Sequence, residues 1–206
     1  RLDDALSEYH EAVRIHPSDV VAKCGLAETL RDMGRLDDAL SEYHEAVRIH
    51  PASVVAKCGL AETLRSMGRL DDALSEYHEA VRIHPSSVVA KCGLAETFRS
   101  MGRLDDALAA YHEAVRIHPS DVVAKNGLAC LLSLLGREEE ALQALPTPYY
   151  NSIQYWRTIH VKGMIHIKTG NLKEARQFFE QGLNDMPWPA LKDFFKTALA
   201  LVNIHE

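Results

Sequence analysis

Along residues 35–51, RLDDALSEYHEAVRIHP, the apolar side chains fall at Leu36, Ala39, Leu40, Tyr43, Ala46, Val47 and Ile49. Steps of three and four residues gather them on one face of a helix and leave the polar residues on the other. Asp37 and Asp38 stand in the first turn, where the helix dipole favours anions, and Pro51 lacks the amide that would continue the helix. In the next segment Ser53 is placed as an N-cap, and Val54, Leu60, Ala61, Leu64 and Met67 supply an apolar face. Gly68 follows, where a left-handed C-cap favours a residue without a Cβ. The pattern predicts two amphipathic helices folded into a hairpin.

The pattern recurs. Residues 1–34, 35–68, 69–102 and 103–136 each open Arg-Leu-Asp-Asp-Ala-Leu and close on Gly, and the second and third units differ only at Ala52/Ser86 and Leu64/Phe98. Asp19, Ser87 and Asp121 take the N-cap place of Ser53. Residues 137–170 and 171–204 keep the period of 34 but open REEEAL and NLKEAR, with Gly170 in the place of Gly34, Gly68, Gly102 and Gly136. Self-similarity at a period of roughly 20–50 residues is the sequence sign of a solenoid, in which each unit contacts only its neighbours.

Starting the frame at Val20 brings Leu26-Ala27, Leu30, Gly34, Leu36, Ala39, Tyr43, Ala46, Ile49 and Pro51 into one unit. With small residues at the helix crossing, Gly at the turn and Pro after the second helix, this unit resembles the tetratricopeptide repeat, and the resemblance covers essentially the whole chain. It implies an all-α, right-handed superhelical solenoid of antiparallel helix hairpins, about 12 helices in all, closed by a C-terminal capping helix. It also implies a non-catalytic scaffold that holds a peptide or helix of another protein in its concave groove. The frame divides residues 1–206 into a second helix without its first (1–17), regular repeats (20–51, 54–85, 88–119), a degenerate repeat (122–150), a divergent repeat (152–187) and the cap (188–206).

Three features depart from the family pattern. Lys23, Lys57, Lys91 and Lys125 replace its Trp, and Gly25, Gly59, Gly93 and Gly127 sit inside helices, where Gly costs about 1 kcal/mol against Ala. Either a close backbone approach or simple duplication accounts for these glycines. The Lys/Asn/Arg arrangement with which chaperone-binding members grip a C-terminal carboxylate is replaced by Val, Cys and Gly, so that specificity is not implied.

The ends and the fourth unit differ from the regular middle. The face formed by Leu2, Leu6, Tyr9 and Val13 is expected to be partly uncovered and to contact another molecule, as in a piece of a longer array. In the cap, Leu191, Phe194, Phe195, Ala198, Leu199 and Val202 are expected on one side. Pro146 and Pro148 end the helix that starts at Arg137 near Leu145, and Tyr149, Tyr150, Tyr155 and Trp156 follow. Just upstream, Leu128–Leu135 is apolar nearly all round and requires cover.

Composition then narrows the chemistry. With 47% hydrophobic and 25% charged residues, the chain has the balance of a globular protein rather than of a disordered one. A net charge of -6 argues against nucleic acid and anionic membranes as partners, and no apolar run reaches the roughly 18 residues of a membrane span. Four cysteines, three of them spaced by the repeat, suggest a reducing, cytoplasmic setting. The histidine ladders His10/44/78/112 and His16/50/84/118 are six residues apart within a helix, on different faces. Between repeats, equivalent helices lie about 8–10 Å apart, too far for the roughly 2 Å bonds of one shared metal ion. No metal, cofactor or catalytic motif is predicted, and the Asp-Asp pairs read as helix-start charges.

What remains is the groove. The resemblance assigns it Val21, Cys24, Gly25, Glu28 and Arg31, then Val55, Cys58, Gly59, Glu62 and Arg65, then Val89, Cys92, Gly93, Glu96 and Arg99. In the fourth copy these become Val123, Asn126, Gly127, Cys130 and Ser133. Glu28 and Arg31 are three residues apart and are able to pair with each other. The cluster Tyr149, Tyr150, Tyr155 and Trp156 is either an aromatic hot spot for a partner or a plug for the shortened helix. The other readings are a targeting or regulatory array of a larger enzyme, and head-to-tail self-association through the uncovered N-terminal helix.

Overall fold

A computed structural model describes residues 2–147 and 152–205, and among them finds 12 α-helices and no strand. Contacts divide the chain into two compact units, residues 1–110 and 111–206.

In the first unit, α1 (Leu2–Ile15) is followed by α2 (Val20–Asp32) with α3 (Leu36–Ile49), α4 (Val54–Ser66) with α5 (Leu70–Ile83), and α6 (Val88–Ser100). α7 (Leu104–Ile117) begins at its end. The first helix of each hairpin starts where the sequence places a cap: Asp19 accepts from the Val21 amide at 2.8 Å, Ser53 from Ala56 at 3.2 Å and Ser87 from Ala90 at 3.2 Å. Each such cap contributes about 0.5–2 kcal/mol. Each of these helices ends on a Gly with φ between 74° and 77°. At Gly34 the next amide, that of Arg35, donates back to the Leu30 carbonyl at 2.9 Å, the double-bonded turn that only a left-handed residue closes comfortably. The second helices start with an ion pair instead, Arg35 to Asp38 at 2.6 Å and Arg69 to Asp72 at 2.6 Å.

Small residues let these helices approach. Ala27, Ala39, Ala46, Ala61, Ala73 and Ala80 are fully buried, and between them lie Tyr43 and Tyr77. α1, α3 and α5 share the sequence LDDALSEYHEAVRI, yet Tyr9 is 37% exposed where Tyr43 and Tyr77 are 3% exposed, and α1 has no buried residue. The difference is the helix packed in front: α3 and α5 each follow one, and α1 touches only α2.

The second unit contains α8 (Val122–Leu134), α9 (Glu138–Ala144), α10 (Ile153–Lys168), α11 (Leu172–Asp185) and, after a 3-10 turn at Pro189–Leu191, α12 (Lys192–His205). α9 ends at Ala144, two residues before Pro146. α10 covers part of apolar α8, burying Leu128, Leu131 and Leu132, and leaves Cys130 and Leu134 exposed. The core here is aromatic: Trp156, Phe179 and Phe195 pack edge-to-face with Met186 and Val202 around them.

Two expectations are corrected by this packing. Trp156 is fully buried between α10, α11 and α12, so of the two readings given for it, it takes that of a core-filling side chain and not of a surface hot spot. Phe194, expected on the covered side of the cap, is 63% exposed, because the inward face of α12 is centred on Phe195, Ala198 and Val202, spaced at the helical period, and Phe194 lies at its edge. Tyr155 is half-buried, its hydroxyl accepting from Gln181 at 3.1 Å, while Tyr149 and Tyr150 lie outside the described residues.

Candidate functional site

The outward face of α2, α4 and α6 repeats one arrangement. Val21, Val55 and Val89 are 80%, 72% and 69% exposed, an unusual place for three apolar side chains in register. One turn on, Cys24, Cys58 and Cys92 are buried, which corrects their assignment as partner-contacting residues: they pack into the core edge and offer little surface. Burial, together with the nearby Glu28 carboxylate, pushes the Cys24 thiol up, and burial alone takes Cys58 to about 11, so both stay protonated and unreactive at neutral pH.

The charged positions pair among themselves. Arg31 reaches Glu28 at 3.5 Å and Asp32 at 3.7 Å, Arg65 reaches Glu62 at 2.5 Å and Arg99 reaches Glu96 at 2.6 Å. Glu62 also accepts the Tyr77 hydroxyl at 3.0 Å. Burial acts to raise the Glu62 carboxyl, but the bond and charge of Arg65, the Tyr77 hydroxyl and the charge of Arg31 outweigh it and hold the group below its usual range. The result is a face on which exposed valines alternate with locally neutralised ion pairs. Such partly exposed pairs contribute about 0–1 kcal/mol each and open at small cost.

Two contacts of this region were missed in the sequence. Lys23 and Lys57 are buried to 7% and 9% exposure, their ammonium groups 3.1 Å from Glu42 and 3.0 Å from Glu76. The signal was available: a Lys in the family's Trp place with a Glu 19 residues later, twice over. In the next copy the Glu position is Ala110.

In the second unit the positions that follow at the same period of 34 hold residues of different chemistry. Glu96 is succeeded by Cys130, Met164 and Ala198, Cys92 by Asn126, His160 and Phe194, and Arg99 by Ser133, Ile167 and Leu201. Asn126 is buried, exchanging hydrogen bonds of 3.1 and 3.2 Å with Thr158 of α10, and is therefore a tie between α8 and α10 rather than a partner contact. Lys168 adds a second tie, donating to the Ser133 carbonyl at 2.6 Å. Between α10 and α12 an open cavity of about 590 Å³ is walled by His160, Met164, Phe194, Ala198 and Leu201, with Asp193 and Thr197 at its edge. His160 sits 5.6–6.4 Å from the rings of Phe179, Phe194 and Phe195. Burial lowers its pKa, a hydrogen bond with the Phe194 backbone partly opposing, so the ring is neutral at pH 7. Extending the ladder past residue 136 would have picked out His160, Met164, Phe194, Ala198 and Leu201 in the sequence, though not the space between them.

The histidines of both ladders are exposed, and no group of three His, Cys, Asp or Glu among the described residues is arranged to hold a metal ion. No helix among the described residues is long and apolar enough to cross a membrane.

A family model described as tetratricopeptide repeat matches residues 1–54, 24–88, 58–122 and 92–145, and a second with the same description matches residues 157–184. A search of curated proteins finds no significant relative. Among solved structures, a tetratricopeptide repeat protein from Parabacteroides merdae is similar at 18% identity and a TM-score of 0.79, covering 98% of this chain and 78% of that one. The Cut9–Hcn1 hetero-tetramer of the APC/C is similar at 17% identity and a TM-score of 0.81, covering 100% of this chain and 40% of that one. A thermophilic repeat protein of Thermus thermophilus is similar at 22% identity and a TM-score of 0.74, covering 88% of this chain and 99% of that one. At these identities the likeness shows the fold.

Proposed function

The chain belongs to the tetratricopeptide repeat family, and on that premise we propose that it holds a peptide or helix of a partner protein against the outward faces of its first helices. Proteins of this fold are generally non-catalytic interaction scaffolds. The observation that carries the reading is the exposed ladder of Val21, Val55 and Val89 beside self-neutralised ion pairs. Apolar surface left open in register marks an interaction site, and weak ion pairs at its side are able to re-pair with a ligand. Helix-in-groove and extended-peptide binding are the two modes such a surface supports.

Peptides selected from a random display library on the immobilised chain test this. The double substitution Glu62→Lys with Arg65→Glu preserves an opposite-charge pair and the helix, yet reverses what a ligand meets. It and Val55→Asp should each weaken selected peptides about tenfold, about 1.4 kcal/mol in calorimetry. Selected peptides that bind both variants as well as the parent protein would remove these faces from the reading.

A second reading, self-association, is favoured by the uncovered Leu2 and Tyr9 of α1, whose counterparts in α3 and α5 are less exposed. Light scattering against concentration checks it: a mass that does not rise, or that rises equally in Tyr9→Lys, counts against it.

A further inference from the structure

The helices that line the face of the second unit carry almost no negative charge. α8, α10 and α12 together hold Lys125, Arg157, Lys162, Lys168, Lys192 and Lys196 against the single carboxylate of Asp193. Asp193 is itself paired with Lys196 at 2.8 Å. In a chain of net charge -6 this is a local reversal of sign, and α2, α4 and α6 differ, each carrying a Glu at the corresponding position of the repeat. The Glu that pairs with Arg in each of the first three copies has become Cys130, then Met164, then Ala198.

Arg157 and Lys168 lie on α10 before and after His160 and Met164, the two residues it gives to the cavity, and neither lines the cavity itself. Arg157, His160, Met164 and Lys168 are three, four and four residues apart, which aligns them along one face of the helix. Arg157 and Lys168 are exposed, and neither has a carboxylate within ion-pair distance among the described residues. Lys168 gives one of its three N–H groups to the Ser133 carbonyl and keeps two. Eleven residues of helix separate the two cations by about 16 Å, and an extended chain covers that distance in about five residues.

We propose that the cavity between α10 and α12 binds an acidic peptide segment of a partner protein, an apolar side chain seated among His160, Met164, Phe194 and Leu201 and carboxylates on either side meeting Arg157 and Lys168. The proposal rests on the reading that first-helix faces bind peptides, and it specifies the ligand chemistry of this stretch alone. Charge complementarity chooses the ligand: the apolar wall supplies contact area, and the flanking cations exclude basic segments. Nucleic acid fits less well, because two exposed cations neutralise few phosphates.

The probe is a fluorescein-labelled ten-residue peptide with Glu at two positions four apart, Trp midway between them so that all three side chains share one face of the extended chain, and Ser/Gly elsewhere, followed by fluorescence anisotropy on the full chain. Binding should weaken at least tenfold in Arg157→Glu with Lys168→Glu, and likewise in Met164→Glu, which restores the residue of the regular repeats. Binding should also fall with added salt. Circular dichroism spectra and unfolding midpoints of the variants establish that each is folded, and Glu62→Lys with Arg65→Glu in the first unit should leave this peptide unaffected. Equal binding of a peptide with Lys in place of Glu, of one with Ala in place of Trp, or full competition by a twelve-nucleotide oligo(dT) would overturn the proposal. If library-selected peptides bind through the first-helix faces but the acidic probe does not, this assignment fails while the broader function stands. If neither binds, both fail.

Discussion

Gly59 is a helical glycine that only its neighbour explains. A Cβ built there collides with the ring of Tyr43, and the same holds for Gly25 under Tyr9, Gly93 under Tyr77 and Gly127 under Tyr111, always sixteen residues apart. In the last units Phe179 and Phe195 lie over Gly163 and Gly182 in the same way. The propensity penalty of about 1 kcal/mol per Gly is thus set against overpacking of about 1–3 kcal/mol if a methyl is added under a buried ring. Gly59→Ala should therefore lower stability despite its better helix propensity, by about 1–2 kcal/mol in urea unfolding. Gly25→Ala, in the same local sequence, should cost less because Tyr9 is half-exposed and free to swing away. Equal effects at the two sites would reject close ring contact as the cause. The sequence left two explanations for these glycines, since sixteen residues span a turn between helices and no helical period links the two positions.

At the scale of elements, α10 is where sequence and structure diverge most. Caps and turns were readable because they are local: Asp19, Ser53, Ser87 and Asp121 bond amides within three residues, and the glycines adopt the one conformation that suits them. The buried face of the cap was readable at Leu191, Phe195, Ala198, Leu199 and Val202, and Phe194 is the exception, left 63% exposed. α10 carries His160 and His166, both with lowered pKa. Burial is the larger cause in each, joined at His166 by the charge of Lys162 and opposed there by Glu174. Around His160 the facing groups are Phe179 of α11 and Asp193, Phe194 and Phe195 of α12, so Asp193 is the one charge at hand. The unfolded chain takes up these protons near pH 6.5 and the folded one does not, so stability is lost as pH falls below about 6.5. The urea midpoint of the second unit should drop between pH 7.5 and 5.5, and drop less in His160→Phe. An unchanged midpoint across that range in the parent chain would exclude this linkage.

For the whole molecule, the two units have cores of different kinds. The first is built of Ala, Leu and Tyr in small clusters, the second around Trp156, Phe179 and Phe195 in one aromatic cluster. Both tryptophans, Trp156 and Trp188, belong to the second unit, so indole fluorescence reports that unit while far-ultraviolet circular dichroism reports all the helices. Repeat proteins gain stability from each unit and its nearest neighbours, so cores this unlike should not melt together. The two signals should give urea midpoints that differ. Coincident curves would mean that the chain unfolds as a single cooperative body.

The sequence by itself determined the helices, their caps, the period of 34 and the family, because each rests on residues within a few positions of one another or on repetition along the chain. Only the tertiary structure decided which of the repeated side chains are buried. It buries Cys24, Cys58 and Cys92 and exposes the neighbouring valines, draws Trp156 into a core, and opens a cavity at His160 and Met164. Burial is a property of the helix packed in front, as Tyr9 and Tyr43 show in identical helical sequences, and that helix lies in another part of the chain.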